Sequence, residues 1–123
     1  MADVKLVISD CDHTDIPEER AVFEKAGLEY AWYHCKTEDD VIRECQGAVA
    51  MLNQYAPITE RVLQALPSLR MVVRYGVGVD NIDLEAAARH GVQVCNVPDY
   101  GMNEVADHAL ALMMCLTRKL YSI

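Results

Sequence analysis

Met71-Val72-Val73-Arg74-Tyr75-Gly76-Val77-Gly78-Val79-Asp80-Asn81-Ile82-Asp83 is the stretch on which the reading of this chain turns. Its first three residues are an apolar run that reads as a buried strand. Leu84-Glu85-Ala86-Ala87-Ala88-Arg89 behind it reads as a helix. Glycines at 76 and 78 let the backbone fold back tightly and leave its N–H groups uncovered by side chains. Successive N–H groups aimed into one concavity make an anion nest, and Arg74 adds a fixed positive charge beside it. In an α/β protein, a loop at the carboxyl end of a strand is where ligands bind. The stretch therefore reads as a seat for a small carboxylate, with Arg74, Tyr75, Gly76, Val77 and Gly78 as its candidate contacts.

Working outward, short apolar runs alternate with helical segments along the whole chain. Val4 to Ile8 reads as a first strand. Pro17-Glu18-Glu19 opens a helix that stops at Gly27, and Leu28 to Tyr33 reads as a second strand. Thr37 and Asp40 have the spacing of a capping box, for a helix through Cys45 closed by Gly47. Ala48 to Leu52 is the third strand, and Thr59 is expected to cap a helix that ends before Pro67. Asp83 is expected to cap the helix ending at Gly91, with Val92 to Cys95 as the fifth strand. This alternation predicts an α/β fold: a flavodoxin-like, doubly wound, parallel five-stranded sheet. The loops Asp10 to Asp15, Asn53-Gln54-Tyr55 and Arg74 to Gly78 then share the carboxyl edge of the sheet.

Length and composition bound the rest. A chain of 123 residues, 52% hydrophobic and 24% charged, fits one domain with an ordinary core. A formal charge of −8 argues against a nucleic-acid face, which needs clustered Lys and Arg. No signal peptide is expected at the N-terminus. The longest apolar stretch, Ala109 to Leu116, is too short for a bilayer, so no membrane partner is expected. Cysteines at 11, 35, 45, 95 and 115 form no CxxC pair and read as free thiols in a cytoplasmic setting. Cys11-x-His13 and His34-Cys35 lack the spacing of a closed zinc site, so no metal is expected. Asp80, Asn81 and Asp83 read as turn and cap residues, and His90 suits a helix C-terminus. His108 beside Asp107 is not a base and its orienter, because adjacent helical positions diverge by about 100°.

The last helix is unlike the others. Asn103 is expected to cap a helix from Glu104 to about Tyr121, some 27 Å long. Its centre, Ala109 to Leu116, is apolar on all sides and must be covered on all sides. One sheet covers one face only. A missing partner surface is expected: either a second domain follows in the parent protein, or another subunit supplies the cover, with self-association or a homodimer through residues 104–121.

Arg74-x-Gly76-x-Gly78-x-Asp80-Asn81-Ile82-Asp83, Ala86-Ala87, Gly91-Val92-x-Val94-x-Asn96-Val97-Pro98 and Glu104-Val105-Ala106-Asp107-His108 together resemble the D-isomer-specific 2-hydroxyacid dehydrogenases. The nearest flavour is that of the phosphoglycerate-dehydrogenase-like and C-terminal-binding-protein-like branches. The resemblance implies a flavodoxin-like substrate domain over residues 1–101, and a helix over 102–123 leading into an absent NAD-binding domain. It implies a small 2-hydroxy or 2-oxo acid as substrate and hydride transfer with NAD in the full-length parent. The substrate would meet Asn53, Gln54 and the 74–78 loop, with Val77 also near the nicotinamide. No catalytic residue falls within this chain, because the family's Arg, Glu, His and GxGxxG loop lie downstream; the fragment alone is expected to be inactive. Gly76-x-Gly78 is no substitute, since a third glycine would fall at Asn81. The alternative is a non-catalytic ligand-binding or corepressor-like interaction module.

Overall fold

The apolar runs become strands β1 Leu6–Ile8, β2 Tyr30–Trp32, β3 Ala50–Asn53, β4 Met71–Arg74 and β5 Gln93–Cys95 in a computed structural model. Between and after them lie helices α1 Pro17–Ala26, α2 Glu38–Glu44, α3 Glu60–Ala65, α4 Leu84–Arg89 and α5 Met102–Thr117. The structure describes residues 5–122; Val4, expected in the first strand, lies outside them. The strands are parallel throughout and stand in the order β2-β1-β3-β4-β5. This is the flavodoxin-like order, in which the chain changes direction of winding between β1 and β3.

Strand alternation sorts the core into two layers. Val7, Met51 and Val72 face one way and meet Val41 of α2, Val62 and Leu63 of α3, and Ala86 and Ala87 of α4. Leu6, Ile8, Ala50 and Leu52 face the other way and meet Ile16 and Phe23, at the start and on the body of α1. Among the described residues, three helices cover the first face and α1 alone covers the second.

The helix ends show why these segments fold where they do. Gly27, at φ 65°, adopts the left-handed conformation that closes α1. Both capping-box bonds form: Asp40 N donates to Thr37 Oγ1 at 3.2 Å, and Thr37 N donates to Asp40 Oδ2 at 3.0 Å. Arg43 adds a bond to the other oxygen of Asp40, and these hydrogen bonds, those of Thr37 first, hold that carboxyl well below the usual carboxylate range. Ala86 N donates to Asp83 Oδ1 at 2.9 Å, so the expected cap of α4 is present. Thr59 departs from expectation. It occupies the N-cap position of α3 but makes no side-chain cap bond, and its hydroxyl is buried without a partner among the described residues.

The last helix is also corrected at both ends. Gly101, not Asn103, is its N-cap: Val105 N bonds Gly101 O at 2.9 Å, which puts Asn103 inside the first turn. The helix stops at Thr117 rather than Tyr121 because Lys119 adopts φ 53°, and a short 3₁₀ turn, Leu120–Ser122, follows. No residue of α5 is buried. No helix among the described residues is long and apolar enough to cross a membrane.

Candidate functional site

Parallel strands bring the loops after β1, β3, β4 and β5 to one edge, where they enclose a cleft of about 390 Å³. Asp12, His13, Gln54, Tyr75, Gly76, Val97 and Tyr100 line it. A neighbouring cavity of about 290 Å³ lies between the loops after β1, β2 and β3, walled by Asp10, Cys11, His34, Lys36 and Tyr55 among others.

The 74–78 turn forms one lip of the larger cleft. Tyr75 N donates to Asn53 O at 2.8 Å, and Gly76 N donates to Arg74 O at 3.0 Å. These two amides are therefore spent within the chain, and the expected nest contracts. The N–H groups of Val77 and Gly78 make no hydrogen bond among the described residues. The turn's carbonyls are engaged instead: Gly76 O accepts from Val97 N at 3.0 Å, and Val77 O accepts from Asn96 Nδ2 at 2.8 Å. The N–H groups left over at Val77 and Gly78 favour an anion.

Arg74 lies against this turn. Its Nε donates to Gln54 O at 3.1 Å, and its guanidinium carbon stands 5.9 Å from the centre of the Tyr55 ring. A Cβ at position 76 would run into the Arg74 guanidinium. Gly76, at φ 137°, is thus required by its backbone angle and by the close approach of Arg74.

Asn53 does not face the cleft as expected. Its side chain is fully buried, with Nδ2 near Ser9 Oγ, Asp10 Oδ1 and Ala56 O, and Oδ1 accepting from Asn81 Nδ2 at 2.7 Å. The last residue of a parallel strand can point into the core as easily as out of it, and here the polar core takes it. Gln54 is also held rather than free. It donates from Nε2 to Asp12 Oδ1 at 2.8 Å and accepts from Asp12 N at 2.7 Å, while its side chain still walls the cleft. Tyr75 presents its ring to the cleft, but its hydroxyl is buried with no hydrogen-bond partner among the described residues. Burial first, then Glu19, pushes that phenol far above its ordinary range. It offers a ligand an apolar surface, not a hydroxyl.

The organising residue, which sequence reading did not single out, is Asp10. Its buried carboxylate accepts five bonds: from Ser9 Oγ, Asn53 Nδ2, Gln54 N, Tyr55 N and Ala56 N. Asp10 pins the loop after β3 to the end of β1, and through Gln54 O that loop supports Arg74. Asp12, Val97 and Tyr100 were likewise not singled out as cleft residues, and His13 was weighed only as a metal ligand. The position of their loops at the carboxyl edge was the available signal.

Ligand atoms of Cys11, Asp12 and His13 fall within 4.8 Å of one another. Burial pushes the Cys11 thiol up, and one carboxylate oxygen of Asp12 is taken by Gln54. His34 and Cys35 do not join this group.

The family model for the catalytic domain of D-isomer specific 2-hydroxyacid dehydrogenases matches residues 6–121. The chain belongs to that family. This dehydrogenase-family chain is 47% identical over 68 residues to a D-3-phosphoglycerate dehydrogenase of Synechocystis, covering 55% of this chain and 12% of the relative. It is 42% identical over 77 residues to a glyoxylate reductase of Pyrococcus furiosus, covering 63% of this chain and 22% of the relative. The NAD⁺-bound 3-phosphoglycerate dehydrogenase of Entamoeba histolytica superposes with a TM-score of 0.76 at 29% identity, over 93% of this chain and 39% of that one. A glyoxylate reductase of Paecilomyes thermophila shares the fold, with a TM-score of 0.80 at 22% identity over 98% of this chain and 40% of that one. The family chain thus spans less than a quarter of these two curated relatives.

The Gly76–Gly78 turn does not fit the phosphates of a dinucleotide. Such a cofactor needs a glycine-rich loop running straight into an uncapped helix N-terminus. Here α4 starts six residues after Gly78, and the Asp83 carboxylate already occupies its N-terminus. Whatever holds NAD in this family, the Gly76–Gly78 turn does not do it here.

Proposed function

We propose that this domain is the substrate-binding half of an NAD-dependent oxidoreductase that exchanges hydride between the nicotinamide and the α-carbon of a small 2-hydroxy or 2-oxo acid. One observation carries the reading: the unspent N–H groups of Val77 and Gly78, beside the Arg74 guanidinium, on the lip of the cleft. Charge-assisted bonds from these donors hold the acid's carboxylate and so place its α-carbon. Gln54, the Tyr75 ring and Tyr100 wall the remainder of the molecule. Val77, half exposed, offers an apolar side chain toward the nicotinamide.

Residues 1–101 make up this half, and the 102–123 segment leads toward the domain that holds NAD and supplies the proton-transfer group. Binding alone lowers no barrier, so these 123 residues have no turnover by themselves. Free cysteines fit a cytoplasmic setting. The test is amide chemical-shift perturbation by oxalate and pyruvate. Val77 and Gly78 should shift most, and Arg74→Ala should weaken binding roughly tenfold, about 1.4 kcal/mol. Shifts that bypass residues 74–78 would reject the reading in favour of a module that does not bind organic acids there.

A further inference from the structure

Three consecutive side chains in the loop after β1 converge on one point. The Cys11 sulfur, an Asp12 carboxylate oxygen and a His13 ring nitrogen all lie within 4.8 Å of one another. A tetrahedral zinc ion, bonded at about 2.3 Å to sulfur and about 2.0–2.1 Å to nitrogen or oxygen, holds its ligand atoms about 3.3–3.6 Å apart. Closing from 4.8 Å to that spacing takes roughly 1.2 Å, which one side-chain rotation supplies. Cys11 is the buried, fixed member, and the exposed His13 can turn onto it. A spacing unlike that of a closed, four-ligand site is no obstacle, because open zinc sites use three protein ligands and keep one position for water.

The surroundings support the group. Gln54 grips Asp12 twice: its Nε2 donates to Asp12 Oδ1 at 2.8 Å, and its Oε1 accepts from Asp12 N at 2.7 Å. This fixes the carboxylate and leaves Oδ2 without a hydrogen bond among the described residues, as outer partners do for metal-binding carboxylates. The His13 ring stands beside that of Tyr75, with centroids 6.3 Å apart. Cys11 and Asp12 wall the smaller cavity and Asp12 and His13 the larger, so the three ligands meet where an ion can enter from either side. Asp10 is not a further ligand, since five hydrogen bonds already occupy its carboxylate. A thiolate and an imidazole select a borderline-soft ion over magnesium or calcium, which need shells of oxygen.

We propose that Cys11, Asp12 and His13 form an open, three-ligand site for a divalent transition-metal cation of the zinc type, with water in the remaining position. Loading sends the thiol proton to solvent and brings in a doubly charged ion. The group passes from one negative charge to none, so the cleft wall no longer presents a bare carboxylate. The site does not depend on what the 74–78 turn binds.

Cobalt reports the ligands directly, since Co²⁺ takes the same donors as zinc and is coloured. Co²⁺ is titrated into the 123-residue chain with a phosphine reductant present and followed by absorption. One equivalent per chain should give thiolate-to-cobalt charge transfer and the intense visible bands of a tetrahedral ion, and Zn²⁺ should abolish both. His13→Ala, a change at an exposed residue, should weaken Co²⁺ at least tenfold, and Cys11→Ser should remove the charge-transfer band. The Cys95→Ser, Cys115→Ser double variant lacks the two thiols that are not buried and should titrate like the parent. No uptake at about tenfold excess Co²⁺, bands that vanish in the double variant, or a charge-transfer band that survives Cys11→Ser would each overturn the site. Unchanged affinity in His13→Ala would do the same, and that variant decides the matter if Cys11→Ser fails to fold.

Discussion

Replacing Asp10 by Asn tests the architecture of the site most directly. The substitution keeps size and shape but turns one acceptor oxygen into an NH₂ group. If the remaining oxygen keeps Tyr55 N and Ala56 N, the new amide faces Asn53 Nδ2 and Gln54 N, both donors. Only Ser9 Oγ can reverse its role and accept. Asn53 Nδ2 keeps Ser9 Oγ and Ala56 O, so one buried donor, Gln54 N, is orphaned, at about 1–3 kcal/mol. That is a measurable fraction of the roughly 5–15 kcal/mol that stabilises an ordinary domain. With an m-value of about 2 kcal/mol/M, the urea midpoint followed by circular dichroism should fall by about 0.5–1.5 M. Because Gln54 O supports Arg74, the folded variant should also bind oxalate more weakly. A midpoint within about 0.3 M of the parent would refute the claim that this carboxylate holds the loop after β3 in place.

Two further outcomes are expected. Gly76→Ala must adopt φ 137° and displace the Arg74 guanidinium, so it should cost about 1–3 kcal/mol and shift the Arg74 side-chain NMR signals; a neutral substitution would mean the turn is freer than its geometry implies. Glu60, bonded to His90 and Arg89, has its pKa lowered to about 2, with His90 the larger cause. A depressed carboxylate contributes stability that is fully present above its unfolded pKa near 4.5 and is lost as pH falls through about 2. The stability difference between the parent and Glu60→Gln should therefore shrink on acidification across that window. A difference that stays constant from pH 6 to pH 2 would exclude the linkage.

Much of the fold is legible in the chain because its local devices agree with one another. Each strand is a short apolar run closed by a turn residue. The Thr37–Asp40 pair, the Asp83 cap and Gly27 state their helix boundaries without tertiary help. What escapes a reading of residue types is direction. Asn53 and Asp10 look like loop-edge polar groups, yet both turn inward and satisfy each other in the core. Tyr75 looks like a ligand contact, yet its hydroxyl is sunk beneath the cleft. The nest was legible from Gly-x-Gly, but which of its amides stay free depends on Asn53 O and Arg74 O, one reached through the sheet and one by the turn's own curvature. Asn103 could not be told from a cap until Gly101 took that place.

Gln54 couples two walls of the cleft through opposite ends of one residue: its amide grips Asp12, and its carbonyl steadies Arg74. Positions 12 and 54 should consequently drift together among homologues, as a matched pair. The backbone grip on residue 74 is indifferent to which side chain stands at 54. Evolution can therefore remodel the part of the cleft that chooses among acids while inheriting the part that recognises an acid at all.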